Sequence, residues 1–84
     1  MAERTVNVAS AHGLHARPAS LFAQAAANAG VPVTVAKGDK EVNAASILSV
    51  ISLGVNQGDE VTLKSEDDKV VEELATMLET DHDA

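Results

Sequence analysis

A histidine and an arginine two residues apart are the residues of this chain best suited to chemistry. His15 and Arg17 lie in the run Gly13-Leu14-His15-Ala16-Arg17-Pro18-Ala19-Ser20, where the first predicted helix begins. A favourable helix start has a Ser, Thr, Asp or Asn cap and acidic residues in its first turn, and this one has neither. The backbone N–H groups there, including those of Ala16 and Arg17, are therefore open to an anion. A nucleophilic imidazole beside a guanidinium and free amides indicates a site for a phosphoryl group.

Three neighbours of this pair have mainly structural interpretations. Gly13 permits a close backbone approach or a positive φ, and Pro18 suits the first helical turn, where its missing N–H is not needed. His12 either hydrogen-bonds near a phosphate and modulates its charge with pH, or is a solvated loop histidine. His12 and His15 have no third Cys, His or carboxylate in a recognisable ligand motif, so we expect no metal site.

Two separated motifs carry a resemblance to a known family. The run from Gly13 to Ala19 resembles the active-site motif of the HPr phosphocarriers, which belong to the phosphoenolpyruvate-dependent sugar phosphotransferase system. Asn43-Ala44-Ala45-Ser46-Ile47-Leu48 is similar to the family's second signature, and the segment from Leu53 to Gly58 resembles the turn after it. The resemblance implies that Enzyme I phosphorylates Nδ1 of His15, that Arg17 stabilises the phosphate, and that IIA proteins or domains receive it.

Such a protein would be a stoichiometric phosphoryl-transfer component rather than a true catalyst. The chain has no P-loop, metal motif or nucleotide fingerprint, so we expect no cofactor, in agreement with a donor protein that supplies the phosphate.

The second motif leaves alternatives open. Ser46 either caps a short helix, or is the serine that a dedicated HPr kinase phosphorylates in some family members. Three apolar residues follow it, Ile47, Leu48 and Ile51, and the resemblance implies that they dock partners beside His15. The alternative functions are a regulatory interaction module controlled through Ser46, or a nitrogen-regulatory carrier of the same family.

Composition narrows the class of protein. The net charge is −7, from thirteen acidic residues against six Lys and Arg, and Phe22 is the only aromatic residue, which argues against binding of nucleic acid. There is no cysteine, as is usual in a reducing cytosol, and no apolar run approaches the ~20 residues of a membrane span. We expect a cytoplasmic monomer in which residues 1–84 form one domain.

Hydropathy patterning predicts the order β-α-β-β-α-β-α and thus an α+β fold. We expect an open-faced β-sandwich, in which three helices cover one face of a four-stranded antiparallel sheet. The first helix is predicted over 16–29 and ends at Gly30, and its apolar stripe is Leu21, Phe22, Ala25, Ala26 and Ala29. The second is predicted over 46–53 with Val50 and Leu53 in the core, and the last is capped by Asp67 or Asp68. Residues 80–84 are predicted to fray.

Overall fold

A computed structural model of the chain describes the backbone of residues 2–9 and 16–79, and the side chains of residues 2–9 and 19–79. The element order matches the predicted β-α-β-β-α-β-α. The elements are β1 (Ala2–Asn7), α1 (Ala16–Asn28), β2 (Val33–Lys37), β3 (Lys40–Asn43), α2 (Ile47–Ser52), β4 (Glu60–Ser65) and α3 (Asp68–Glu79).

The four strands form one antiparallel sheet in the order β1-β4-β2-β3. Because side chains alternate along a strand, one face of the sheet carries the apolar residues and the other carries the polar ones. The inner face contributes the buried Ser65 and five buried apolar side chains, Val6, Val33, Val35, Val61 and Leu63. On the outer face the hydroxyls of Thr5 and Thr62 are 2.9 Å apart, and Lys64 pairs with Glu3 and Glu41. The predicted open-faced sandwich is confirmed.

Helix α1 packs with the predicted stripe except for Leu21, since Phe22 and Ala26 are buried and Ala25 and Ala29 pack against the core. Ala19, Ala23 and Ala26 are buried with Phe22, whereas Leu21 is 40% exposed. The prediction of Leu21 as a core residue is therefore wrong. Leu21 and Phe22 are adjacent and point in different directions from the helix axis, and the small alanines let the Phe22 side of α1 approach the core closely.

The helix ends follow local rules. Gly30 has a φ of 77° just after α1 and is the predicted stop. Of the two predicted caps of α3, Asp67 is the one used, because its Oδ1 accepts a hydrogen bond of 2.9 Å from the backbone N–H of Lys69. The alternation of Val31, Val33 and Val35 predicts a strand. Strand β2 begins at Val33, two residues after the first of these valines. The predicted frayed tail, residues 80–84, lies outside the described residues.

No helix in the described part of the chain is long and apolar enough to cross a membrane.

Candidate functional site

Helix α1 begins directly after His15 in the sequence. The helix begins at Ala16 and has no acidic residue in its first turn, as predicted. His12, Gly13 and His15 themselves lie outside the described residues. Arg17 and Pro18 are in the first turn of α1 by their backbone, and their side chains are outside the description.

The segment that leads toward His15 is held by backbone hydrogen bonds on two sides. The N–H of Val8 donates to the carbonyl of Asp59 at 2.9 Å, and the N–H of Gly58 donates to the carbonyl of Val8 at 2.8 Å. The N–H of Ala9 donates to the carbonyl of Leu78, near the end of α3, at 2.9 Å. The chain therefore enters residues 10–15 from a point tied both to the turn before β4 and to α3.

Asp59 organises the turn that holds Val8. Its Oδ2 accepts a hydrogen bond of 2.8 Å from the backbone N–H of Asn56 and lies 2.8 Å from Nζ of Lys37. The hydrogen bond from Lys37, and then the one from Asn56, lower the pKa of the Asp59 carboxyl. The side chains of Lys37 and Asp59 are 34% and 32% exposed, so the pair is screened less than one in full solvent.

The start of α2 is capped as the sequence predicts. Oγ of Ser46 accepts a hydrogen bond of 3.4 Å from the N–H of Ser49, and the Ser46 carbonyl accepts the N–H of Val50 at 2.9 Å. Val50 and Leu53 are buried, at 0% and 7% exposure. The predicted capping role of Ser46 and the predicted core roles of Val50 and Leu53 are confirmed.

The end of α2 receives two cations from the β2–β3 hairpin. Nζ of Lys40 donates to the carbonyl of Ser52 at 3.1 Å, and Nζ of Lys37 donates to the carbonyl of Gly54 at 2.8 Å. Gly54 has a φ of 67°, which lets the chain leave the helix. Ammonium groups at this end are favourable because the last carbonyls of a helix are its negative pole.

Four large apolar side chains are exposed in the described part of the chain, and all four lie on α1 and α2, which contact each other. They are Leu21, Ile47, Leu48 and Ile51, and we call them the apolar face. Leu48 is the most exposed, at 78%. The three residues of α2 are exposed, as a docking role would require, and Leu21 adds a residue that was predicted to lie on the packed stripe of α1. Large exposed apolar residues on two contacting helices are typical of an interaction surface.

Charge is distributed very unevenly around this face. The sequence has no Asp or Glu in residues 4–38 and none in residues 42–58, so α1 and α2 contain no acidic residue. Arg17 is the one charged residue of α1, and α2 has no charged residue at all. All thirteen acidic residues belong to the strands, turns, α3 and the residues after it. The apolar face therefore lies on elements from which negative charge is excluded.

Residues 2–80 match the family model PTS-HPr, which describes the phosphorylation site of the HPr component of the phosphotransferase system. The chain belongs to the HPr family. The phosphocarrier protein HPr of Streptomyces coelicolor is 60% identical over 67 residues, which are 79% of this chain and 72% of that protein.

Solved HPr structures are similar over almost the whole chain. The HPr of Bacillus anthracis is 34% identical with a TM-score of 0.88, over 92% of this chain and 95% of that one. An HPr from Thermoanaerobacter tengcongensis is 41% identical with a TM-score of 0.88, over 94% of this chain and 92% of that one. The fold is therefore that of HPr, and the chain is a phosphocarrier component of the phosphotransferase system.

Sequence reasoning missed Lys37 and Asp59, which lie 22 residues apart in the chain. Each is a polar residue beside a turn and has no local signal of pairing. Only the sheet topology, which places β2 next to β4, could have indicated that they approach each other.

Proposed function

We propose that this HPr accepts a phosphoryl group on His15 from phospho-Enzyme I, which obtains it from phosphoenolpyruvate, and passes it to sugar-specific IIA components. The observation that carries the proposal is the start of α1 at Ala16, because the positive end of this helix then follows His15 directly in the sequence. The HPr family match and the motif around His15 support the same assignment.

The chemistry follows from that position. The positive helix end disfavours an imidazolium ion, so the neutral nucleophile is more available. The lone pair of Nδ1 attacks phosphorus, a nitrogen–phosphorus bond forms, and the bond from phosphorus to the donor breaks. The helix-start N–H groups of Ala16 and Arg17, with the guanidinium of Arg17, stabilise the added negative charge. Gly13 and Pro18 support the loop and the helix start, and His12 adds a hydrogen bond or a pH-dependent charge beside the phosphate.

The apolar face is the proposed docking surface for both donor and acceptor. Phosphoryl transfer depends mainly on positioning and charge stabilisation, so a small carrier can function when its partner completes the site. Ile47, Leu48 and Ile51 project from α2, which contacts α1, the helix that His15 precedes. A monomer of residues 1–84, acting as one domain in the cytoplasm, suits a carrier that meets several partners in turn.

Incubation with phosphoenolpyruvate and Enzyme I, followed by intact-mass analysis, tests this function. We expect one phosphate on the wild type, labile in acid, and none on His15→Ala. A folded wild type that stays unlabelled while a control HPr is labelled would contradict the proposal. Transfer onward to sugar-specific IIA proteins, compared with their nitrogen-regulatory counterparts, distinguishes the sugar branch from the nitrogen branch.

The regulatory alternative depends on Ser46. Its hydroxyl accepts a hydrogen bond at the start of α2, and a serine with this capping role is also available to an HPr kinase. Acid-stable phosphate on Ser46, together with partner binding that is lost in Ser46→Ala, would instead favour the regulatory module.

A further inference from the structure

Lys37 is bonded both to the end of the proposed docking helix, α2, and to the turn before β4. Its Nζ donates to the carbonyl of Gly54, just after α2, at 2.8 Å, and lies 2.8 Å from Oδ2 of Asp59. The first contact belongs to the docking helix. The second belongs to the turn whose backbone holds Val8, on the way to His15.

No other cation among the described residues joins these two parts. Arg4 pairs with Glu72 and Glu79 of α3, Lys64 pairs with carboxylates on the outer face of the sheet, and Lys40 bonds Ser52. The backbone also links the two parts through residues 55–58, which contain no helix or strand. In that connection Val55 is fully buried, and the N–H of Asn56 donates to Oδ2 of Asp59 at 2.8 Å. The carboxylate that pairs with Lys37 therefore also holds the connection itself.

We propose that Lys37, together with Asp59, fixes the position of α2 relative to the segment that leads to His15, and so aligns the docking surface with the phosphoryl acceptor. This inference rests on the proposed function. Lys37 is a positioning residue, because it acts through Asp59 and Gly54 and takes no part in the transfer itself. A partner that docks on Leu48 must find the His15 nitrogen at the correct distance, and small errors of alignment slow group transfer strongly.

Loss of Lys37 should lower kcat, whereas loss of a docking residue should raise KM. When Lys37 is replaced by methionine, the apolar face can still bind Enzyme I, but bound carrier is more often misaligned. We therefore expect kcat for phosphorylation by Enzyme I to fall about two- to fivefold, the size expected for losing one partly exposed ion pair, with KM for the carrier unchanged. Lys37→Arg keeps a donor at this position and should restore most of kcat.

Amide hydrogen exchange tests the link without any partner. In Lys37→Met we expect exchange to quicken about two- to fivefold at Gly54, which bonds the carbonyl of Ile51, and at Val8, which bonds the carbonyl of Asp59. Asp59→Asn should have the same double effect, and it provides a second variant if Lys37→Met does not fold. Lys69→Met is the matched control, since it removes the same charge from the first turn of α3 and should leave both amides and both kinetic constants unchanged.

Each result decides between distinct explanations. A rise in KM with unchanged kcat would mean that Lys37 touches the partner directly, and would overturn the proposal. Faster exchange at Gly54 alone would mean that Lys37 only caps α2, and would also overturn it. If the wild type is not phosphorylated at all, the proposed function fails, while the exchange measurements still establish whether Lys37 joins the two parts.

Discussion

Leu48 is the residue whose proposed docking role is most clearly distinct from any role in stability. Its side chain is 78% exposed, so it contributes little to the core. It is nevertheless a large apolar group on a six-residue helix without charged residues. An exposed apolar group of this size lowers solubility. A partner that buried it on binding would remove it from water.

We expect Leu48→Ala to leave the free energy of unfolding within about 0.5 kcal/mol of the wild type and to raise KM for the carrier about five- to tenfold with Enzyme I. Urea unfolding and steady-state phosphotransfer measure the two quantities. Val50→Ala on the same helix is the control, because Val50 is fully buried and its truncation should cost roughly 1–3 kcal/mol of stability. An unchanged KM in Leu48→Ala would remove Leu48 from the docking surface.

Asp59 should make stability depend on pH in the acidic range. The hydrogen bond from Lys37 lowers the pKa of Asp59 in the folded protein. The stabilisation is therefore present above the ordinary aspartate pKa of about 3.9 and is lost as pH falls through the lower folded value. Urea unfolding should find wild type more stable than Asp59→Asn at pH 7, with the difference disappearing on acidification. Asp39→Asn, which removes the same charge from the β2–β3 turn, is the control for a change in net charge alone.

Helix α2 is an element that depends on its surroundings. Six residues are too few for a stable isolated helix in water. Its start is capped by Ser46, its end receives ammonium groups from Lys37 and Lys40, and Val50 anchors it in the core. The part of the apolar face on α2 thus depends on Lys37, Lys40 and the Ser46 cap as well as on the helix itself.

The exit from α2 provides a test of this dependence. Gly54 has a φ of 67° and no atom within 4 Å of the position where a side chain would begin. Gly54→Ala should therefore lose about 1–2 kcal/mol through backbone strain alone. Gly54→Asn should lose less, because asparagine adopts left-handed backbone more readily. Equal losses for the two variants by urea unfolding would point to a cause other than backbone conformation.

The elements were more predictable from sequence than the contacts between them. Alternating valines, the glycine after α1 and the aspartate cap of α3 are local signals that indicated the correct elements, although β2 begins only at Val33. Leu21 was misplaced because two overlapping stripes on an alanine-rich helix are nearly equivalent until the packing partner is known. The Lys37–Asp59 pair is a tertiary contact with no local signal. The roles of His12, Gly13, His15, Arg17 and Pro18 stay predictions from the motif.

The net charge of −7 is concentrated away from α1 and α2. Acidic residues that repel one another destabilise the compact state. This arrangement leaves the apolar face free of that repulsion, and it concentrates the repulsion on the sheet and α3.

Thermal unfolding as a function of NaCl should reveal this repulsion. Raising the salt from about 0.01 to about 1 M shortens the Debye length from about 30 to about 3 Å, so we expect Tm to rise. The rise should be smaller in Glu66→Gln/Glu73→Gln, which removes two exposed acidic groups. A fall in Tm with salt would mean that the surface ion pairs outweigh the repulsion.

The pairing of β1 with β4 also constrains how the protein is made. Ala2 lies opposite Ser65 in the sheet, so the first strand to leave the ribosome has no partner until residue 65 has followed it. Strand pairings so distant in sequence form late in folding, because closing a long loop costs conformational entropy before the contacts between the strands can stabilise it. Val8, which follows β1, is held by the turn before β4, so the route to His15 is completed at the same late step. A chain whose synthesis stopped before β4 would contain the whole phosphorylation motif and still lack the framework that positions it.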